Sequence, residues 1–273
     1  MWSSRSSLRA SAPASTTGRH EPIVEIGGRS EAGPRPDNQD RFVARHDLLI
    51  LSDGMGGYDG GGRAAELSVA AALRVFQSAP SDARDAGLLR DAFAAANHDV
   101  RRERVGPLAN MGATLSIAMA VADDDGLTSG RRWMIGHVGD SPVFFVRDSA
   151  ATRLTVDHTV PGLLLQQGLL THAEAAGHPQ RNMLLHAVGT EDDIEPDVVE
   201  VATTFGDSII LLSDGVSDIV SVPGIVAVVT GAQTADAAAH ALVDEARRCD
   251  PHDNMTAVVV RVVASSIGDG LGR

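Results

Sequence analysis

Trp133-Met-Ile-Gly-His-Val-Gly-Asp-Ser-Pro-Val-Phe-Phe-Val-Arg147 holds two apolar runs parted by four residues. Trp133 to Val138 and Val143 to Arg147 each have the length and the β-branched or aromatic content of a strand. The break Gly139-Asp140-Ser141-Pro142 reads as a turn, so the pair is expected to form a hairpin. Similar short apolar runs span Asp47 to Ser52, Ala113 to Val121, Ser208 to Ser213 and Met255 to Val263. Helices are expected in three stretches. Gly62 to Ser78 sets Ala65, Val69, Ala72, Leu73 and Phe76 on one side, and Leu88 to Arg104 and Ala235 to Arg248 are also amphipathic and Ala-rich. Strands outnumber helices and fall in adjacent pairs. That pattern points to antiparallel sheets covered by helices, an α+β fold, and away from an alternating parallel one.

The chain has 273 residues, 43% hydrophobic and 22% charged, the profile of a soluble globular protein. Aromatic residues make up only 3%, so Val, Leu, Ile and Ala must build the core. The formal net charge of −13 argues against nucleic acid or an anionic membrane as partner, and suits a site that gathers cations. Cys249 is the one cysteine, so no disulfide forms within the chain and a reducing compartment fits. Arg247 and Arg248 precede it, yet no Cys-x5-Arg loop follows to make it a phosphatase nucleophile. No stretch reaches the about 20 apolar residues of a membrane span. Met1 to His20 is rich in Ser, Ala, Arg and Thr and free of acids. Residues 1–22 are expected to be a disordered leader, with a transit peptide as the alternative. One domain is expected over 23–263, with a flexible tail at 264–273 and a cytoplasmic location.

The aspartates carry the functional signal. Leu48 to Ser52 runs into Asp53-Gly54, Trp133 to Gly139 into Asp140, and Ile209 to Ser213 into Asp214-Gly215. Asp253 stands before the run from Met255, and Asp40 before Arg41-Phe42-Val43-Ala44. An Asp-Gly pair alone is a turn. Five aspartates repeating one placement at strand ends are a site, because buried carboxylates that converge need a counter-ion. All-oxygen ligands suit the hard cations Mg²⁺ and Mn²⁺. The glycines Gly54, Gly56 and Gly57 allow close backbone approach, and a carbonyl there can itself ligate. Arg35, five residues before Asp40, is suited to grip phosphate oxygens.

Eight elements in order resemble the type-2C, or PPM, family of metal-dependent serine/threonine protein phosphatases in its bacterial form. They are Arg35-Pro-Asp-Asn-Gln-Asp40, Asp53-Gly-Met-Gly-Gly57, Met111-Gly-Ala-Thr114, Val138-Gly-Asp-Ser141, Leu154-Thr-Val-Asp-His-Thr159, the segment Gly168 to Gly189, Ser213-Asp-Gly215 and Asp253-Asn-Met-Thr256. The resemblance implies a four-layer α-β-β-α sandwich, two antiparallel sheets with helices on the outer faces. It implies two tight Mn²⁺ or Mg²⁺ ions on Asp40, Asp53, the Gly54 carbonyl, Asp214 and Asp253. A third, weaker ion would sit on Asp140 and Asp214, with Arg35 on the substrate phosphate. A metal-activated water would hydrolyse phosphoserine and phosphothreonine on proteins, themselves substrates of a cognate Ser/Thr kinase. About Asp157 to Asn182 would contain a flap beside the site. The chain departs from the pattern at Gln39, Pro142, His186 and Met55, none of them an implied ligand. The alternative is a catalytically weak or inactive phosphoprotein-binding adaptor of the same fold, which an intact set of five aspartates disfavours. His137, His158 and His178 are expected to be structural.

Overall fold

In β3 (Leu48–Ser52) every residue is buried. Leu48 and Ile50 face one apolar layer, while Leu49 and Leu51 face another. The same alternation holds in β11 (Ser208–Leu212), where Ile210 and Leu212 part from Ile209 and Leu211. It holds again in β12 (Met255–Val263), where Ala257 and Val259 part from Val258 and Val260. A strand covered on both faces has no polar side, so its period of two disappears into a continuous apolar run.

These strands belong to a computed structural model that describes residues 23–56, 60–80, 83–121 and 130–263. The expected leader, tail and Gly57 lie outside the described residues. One sheet runs in the order β1 (Ile23–Glu31), β12, β11, β8 (Val143–Arg147), β9 (Ala150–Arg153). The other runs β10 (Asp197–Thr204), β7 (Gly130–Val138), β6 (Leu115–Val121), β3, β2 (Arg41–Arg45). A short ribbon pairs β4 (Gly54–Met55) with β5 (Gly112–Ala113). All strand pairs are antiparallel.

Three apolar layers separate four layers of structure. The first lies between β3 and β6 and the helices α1 (Gly60–Ser78) and α2 (Ala86–Glu103). The second lies between the two sheets and includes Leu49, Leu51, Trp133, Leu211 and Val258. The third lies under α6 (Val222–Gly231) and α7 (Ala235–Arg248). The architecture is thus the expected α-β-β-α sandwich. Two short helices, α3 (Val160–Gln166) and α4 (His172–Ala176), stand in the segment before β10, and α5 (Asp214–Ser217) follows β11 directly.

The expected hairpin does not form. β7 pairs with β6 and β10 in one sheet, while β8 pairs with β11 and β9 in the other. Residues 139–142 therefore cross from sheet to sheet. Gly139 makes the crossing possible at φ 107°, and a Cβ there would stand 2.6 Å from Thr114 Cγ2. Pro142 brings no N–H to a ladder, and its carbonyl accepts from Leu212 N at 3.1 Å. Locally, a tight hairpin turn and a sheet crossing look alike: both are a glycine-containing break between apolar runs. The run Ala113 to Val121 is also broken, at Thr114, between β5 and β6.

Leu211 is fully buried between the sheets. Leu211→Ala is expected to cost about 2–5 kcal/mol of stability, and Leu211→Met less than about 1.5. Urea unfolding followed by the fluorescence of Trp133, buried in the same layer, checks both values. Equal losses for the two variants would deny that this layer is close-packed.

Candidate metal centre

The strand ends of both sheets open into one cavity of about 510 Å³. Arg35, Asp53, Gly54, Asp140, Asp214 and Asp253 line it. Asp40 lies outside this lining and is 3% exposed. Asp40 and Asp53 come from the β2–β3 side, Asp214 and Asp253 from the ends of β11 and β12, and Asp140 from the sheet crossing. Of the seven residues singled out in the sequence, six meet at the cavity wall and the seventh is buried beside them.

Uncharged side chains fix the backbone that carries these carboxylates. Asn254 accepts from Gln39 N at 2.8 Å and donates to Ala32 O and Asp37 O at 2.9 Å each, sewing the Arg35 loop to Asp253. Thr256 donates from Oγ1 to Asp40 Oδ2 at 2.6 Å, a bond between the two sheets. Thr114 Oγ1 accepts from Asp53 N at 2.9 Å and lies 2.7 Å from Ser141 Oγ, joining the Asp53 and Asp140 arms. Gly54 packs under the first turn of α1, where a Cβ would fall 2.0 Å from Gly61 O. Asn254, Thr256 and Thr114 stood in the quoted motifs, but their supporting roles depend on partners far along the chain.

The electrostatics are those of crowded acids. Burial pushes the Asp53 carboxyl up, and Asp40, Asp214, Asp140 and Asp253 push it further. Asp40 is raised to about 6 by burial, against the lowering bond from Thr256. Asp214 is raised to about 7 by burial and then by Asp253 and Asp218. Asp140 is raised by burial, then by Asp214, Asp157 and Asp218. Asp218 was not singled out in the sequence. It follows Asp214 by one helical turn, a spacing that carries no signal without knowing where α5 points.

Asp40 Oδ1 and Asp214 Oδ1 are buried without a hydrogen-bond partner. An orphaned anionic oxygen is costly unless a cation meets it, so the residues present fit a divalent ion. Among the described residues no three His, Cys, Asp or Glu side chains form a ready cage. Arg35 is, among the described residues, the one basic residue in the lining. Its Nε donates to His252 O at 2.9 Å, and its Nη2 donates to Asp253 Oδ2 at 2.7 Å. The guanidinium is therefore held at the mouth by one of the carboxylates.

The histidines stand apart from this lining. His137 is fully buried, 2.9 Å from Ser116 Oγ through Nδ1, and burial lowers its pKa to about 3. His178 Nδ1 accepts from Gln180 N at 3.2 Å. Cys249 is exposed at the end of α7 and does not line the cavity. No helix among the described residues is long and apolar enough to cross a membrane.

A family model described as protein phosphatase 2C matches residues 28–256. The serine/threonine protein phosphatase PstP of Mycobacterium tuberculosis is 33% identical over 250 residues, covering 90% of this chain and 46% of the relative. The chain thus spans about half the length of that curated relative. The protein phosphatase PhpP of Streptococcus pneumoniae is 29% identical over 251 residues, covering 87% of this chain and 97% of the relative. The solved catalytic domain of PstP in complex with two manganese ions superposes with a TM-score of 0.73 at 30% identity, covering 89% of this chain and 99% of that one. The chain belongs to the protein phosphatase 2C family.

Proposed function

We propose that this chain is a metal-dependent phosphatase that hydrolyses phosphoserine and phosphothreonine on proteins. The observation that carries the reading is the pair of orphaned buried oxygens, Asp40 Oδ1 and Asp214 Oδ1, within a set of five aspartates. Asp40, Asp53, the Gly54 carbonyl, Asp214 and Asp253 would hold two Mn²⁺ or Mg²⁺ ions. Asp140 and Asp214 would hold a third and weaker one. When bound, such ions lower the pKa of water and neutralise phosphoryl charge. The manganese-bound PstP domain, similar over nearly its whole length, supports this choice of metal.

The chain's own groups do the rest. Arg35, steered by Asp253 and the His252 carbonyl, presents a planar fork that matches two phosphate oxygens. Asn254 and Thr256 keep Asp253 and Asp40 from moving apart under their own repulsion. The absence of a cysteine from the cavity lining agrees with direct hydrolysis in place of a covalent phosphoenzyme. The partners would be phosphorylated proteins that a Ser/Thr kinase supplies, in the cytoplasm. The net charge of −13 leaves nucleic acid and membrane surfaces unfavoured.

Asp53→Ala and Asp214→Ala should abolish turnover with saturating Mn²⁺ while keeping the fold, because each removes a like charge from the cluster. Rates near the parent's on a small aryl phosphate would sink the ligand assignment. Arg35→Ala should raise KM and the inhibition constant for phosphate about tenfold or more, the worth of a charge-assisted hydrogen bond. Arg35→Lys should restore only part of this, since a point charge lacks the fork. Unchanged phosphate inhibition would exclude Arg35 from phosphate binding.

The raised carboxyls also set a pH dependence in chelator-treated protein. Asp40 and Asp214, at about 6 and about 7, bind protons more tightly folded than unfolded. Their contribution to stability is full below the ordinary carboxylate range and is lost as pH rises through those values. Between pH 5 and pH 8, metal-free parent protein should therefore lose more thermal stability than metal-free Asp214→Asn. Parallel pH curves for the two would show that Asp214 is not strained by its neighbours.

A further inference from the structure

His158 lies between β9 and α3, its side chain 13% exposed, and takes no part in the cavity lining. We propose that it is a positioning residue that ties the Asp140 turn to the segment 182–185 that walls the cavity. The first half of the tie is to Gly139. His158 N donates to Gly139 O at 2.8 Å, and His158 Nδ1 accepts from Gly139 N at 3.3 Å. One residue thus meets both polar backbone groups of the glycine at φ 107° that turns the chain into Asp140. The direction of the Asp140 carboxylate depends on that turn.

The second half runs to the cavity wall. His158 O accepts from Leu185 N at 2.7 Å, and the next residue, Thr159, bridges Leu184. Leu184 and Asn182 line the cavity. The turn and the wall are thereby fastened to two consecutive residues, so displacement of one strains the other.

The imidazole is itself held. Its Nε2 lies 3.3 Å from Asp197 Oδ2, at the start of β10. The His137 ring packs against it at 5.1 Å between centroids, and the His186 ring meets it edge-on at 5.5 Å. Accepting from Gly139 requires a lone pair on Nδ1. The Nε2 proton then faces Asp197, so one neutral tautomer satisfies both contacts. This arrangement makes a substitution series diagnostic. An Asn at 158 can place its amide oxygen where Nδ1 accepts. A Gln reaches instead toward the Nε2 position, and an Ala supplies neither group.

The inference rests on Asp140 as a ligand of the weaker ion. It is tested by calorimetric titration of metal-free full-length protein with Mn²⁺, alongside urea unfolding. His158→Ala and His158→Gln should weaken the weak step of Mn²⁺ uptake about tenfold, the worth of about one hydrogen bond. The tight step should stay within about twofold, below the energy of one such bond. His158→Asn should keep the weak step near the parent's value, which no purely space-filling role for the ring would predict. An unchanged weak step in His158→Ala overturns the proposal, as does equal behaviour of the Asn and Ala variants. Loss of the tight step together with cooperative unfolding in every variant also overturns it, since His158 would then be an ordinary core residue. A parent protein with no weak step at all would instead remove the third-ion reading of Asp140, so the two failures are told apart.

Discussion

Like-charge repulsion among five aspartates at one end of a two-sheet core is the constraint on which this structure depends. Asp40 is buried and Asp53 and Asp214 are half-buried, and the charges of Asp40 and Asp214 push the Asp53 carboxyl up while Asp253 and Asp40 push Asp214 up. Among the described residues the only basic side chain in the cavity lining is Arg35, which sits at the mouth 53% exposed. The surrounding protein resists the repulsion with neutral groups. Thr256, Asn254, Thr114 and Ser213 bond carboxylates or the backbone beside them, often across the gap between sheets. A site built this way is incomplete by its own electrostatics, and a divalent cation is the simplest completion.

The sandwich behind the site provides the stiffness that such crowding demands. Strands β3, β11 and β12 are buried on both faces, so their ends cannot shift without disturbing two apolar layers. The core is almost wholly aliphatic, as the 3% aromatic content requires. The sheet crossing at Gly139–Pro142 brings Asp140 to the same cavity wall as Asp214 and Asp53, within electrostatic reach of both. A hairpin there would have kept Asp140 within one sheet. The crossing is therefore what lets a fifth carboxylate join the cluster, and His158 holds that crossing from outside.

The sequence was most legible where burial is complete. All six inner strands, β3, β6, β7, β8, β11 and β12, coincide with apolar runs, and the three long amphipathic helices fall within two residues of their expected bounds. The edge strands β1, β9 and β10 have no such run, and β2 shows only the short one after Asp40. An edge strand is half exposed and tolerates polar residues, so its pattern resembles loop.

The sequence by itself determined the inner strands, the α+β class, the resemblance to the family and the seven residues placed at or beside the cavity. It could do so because burial on two faces and an acid at a strand end are local properties, written in consecutive residues. Only the tertiary structure decided that Gly139 to Pro142 crosses between sheets, that Asp218 joins the crowded acids, and that Asn254, Thr256 and His158 brace them. Those facts depend on partners brought from far along the chain, such as Thr256 with Asp40 at a separation of 216 residues. No local periodicity encodes such a pairing, because it exists only once the two sheets have packed face to face.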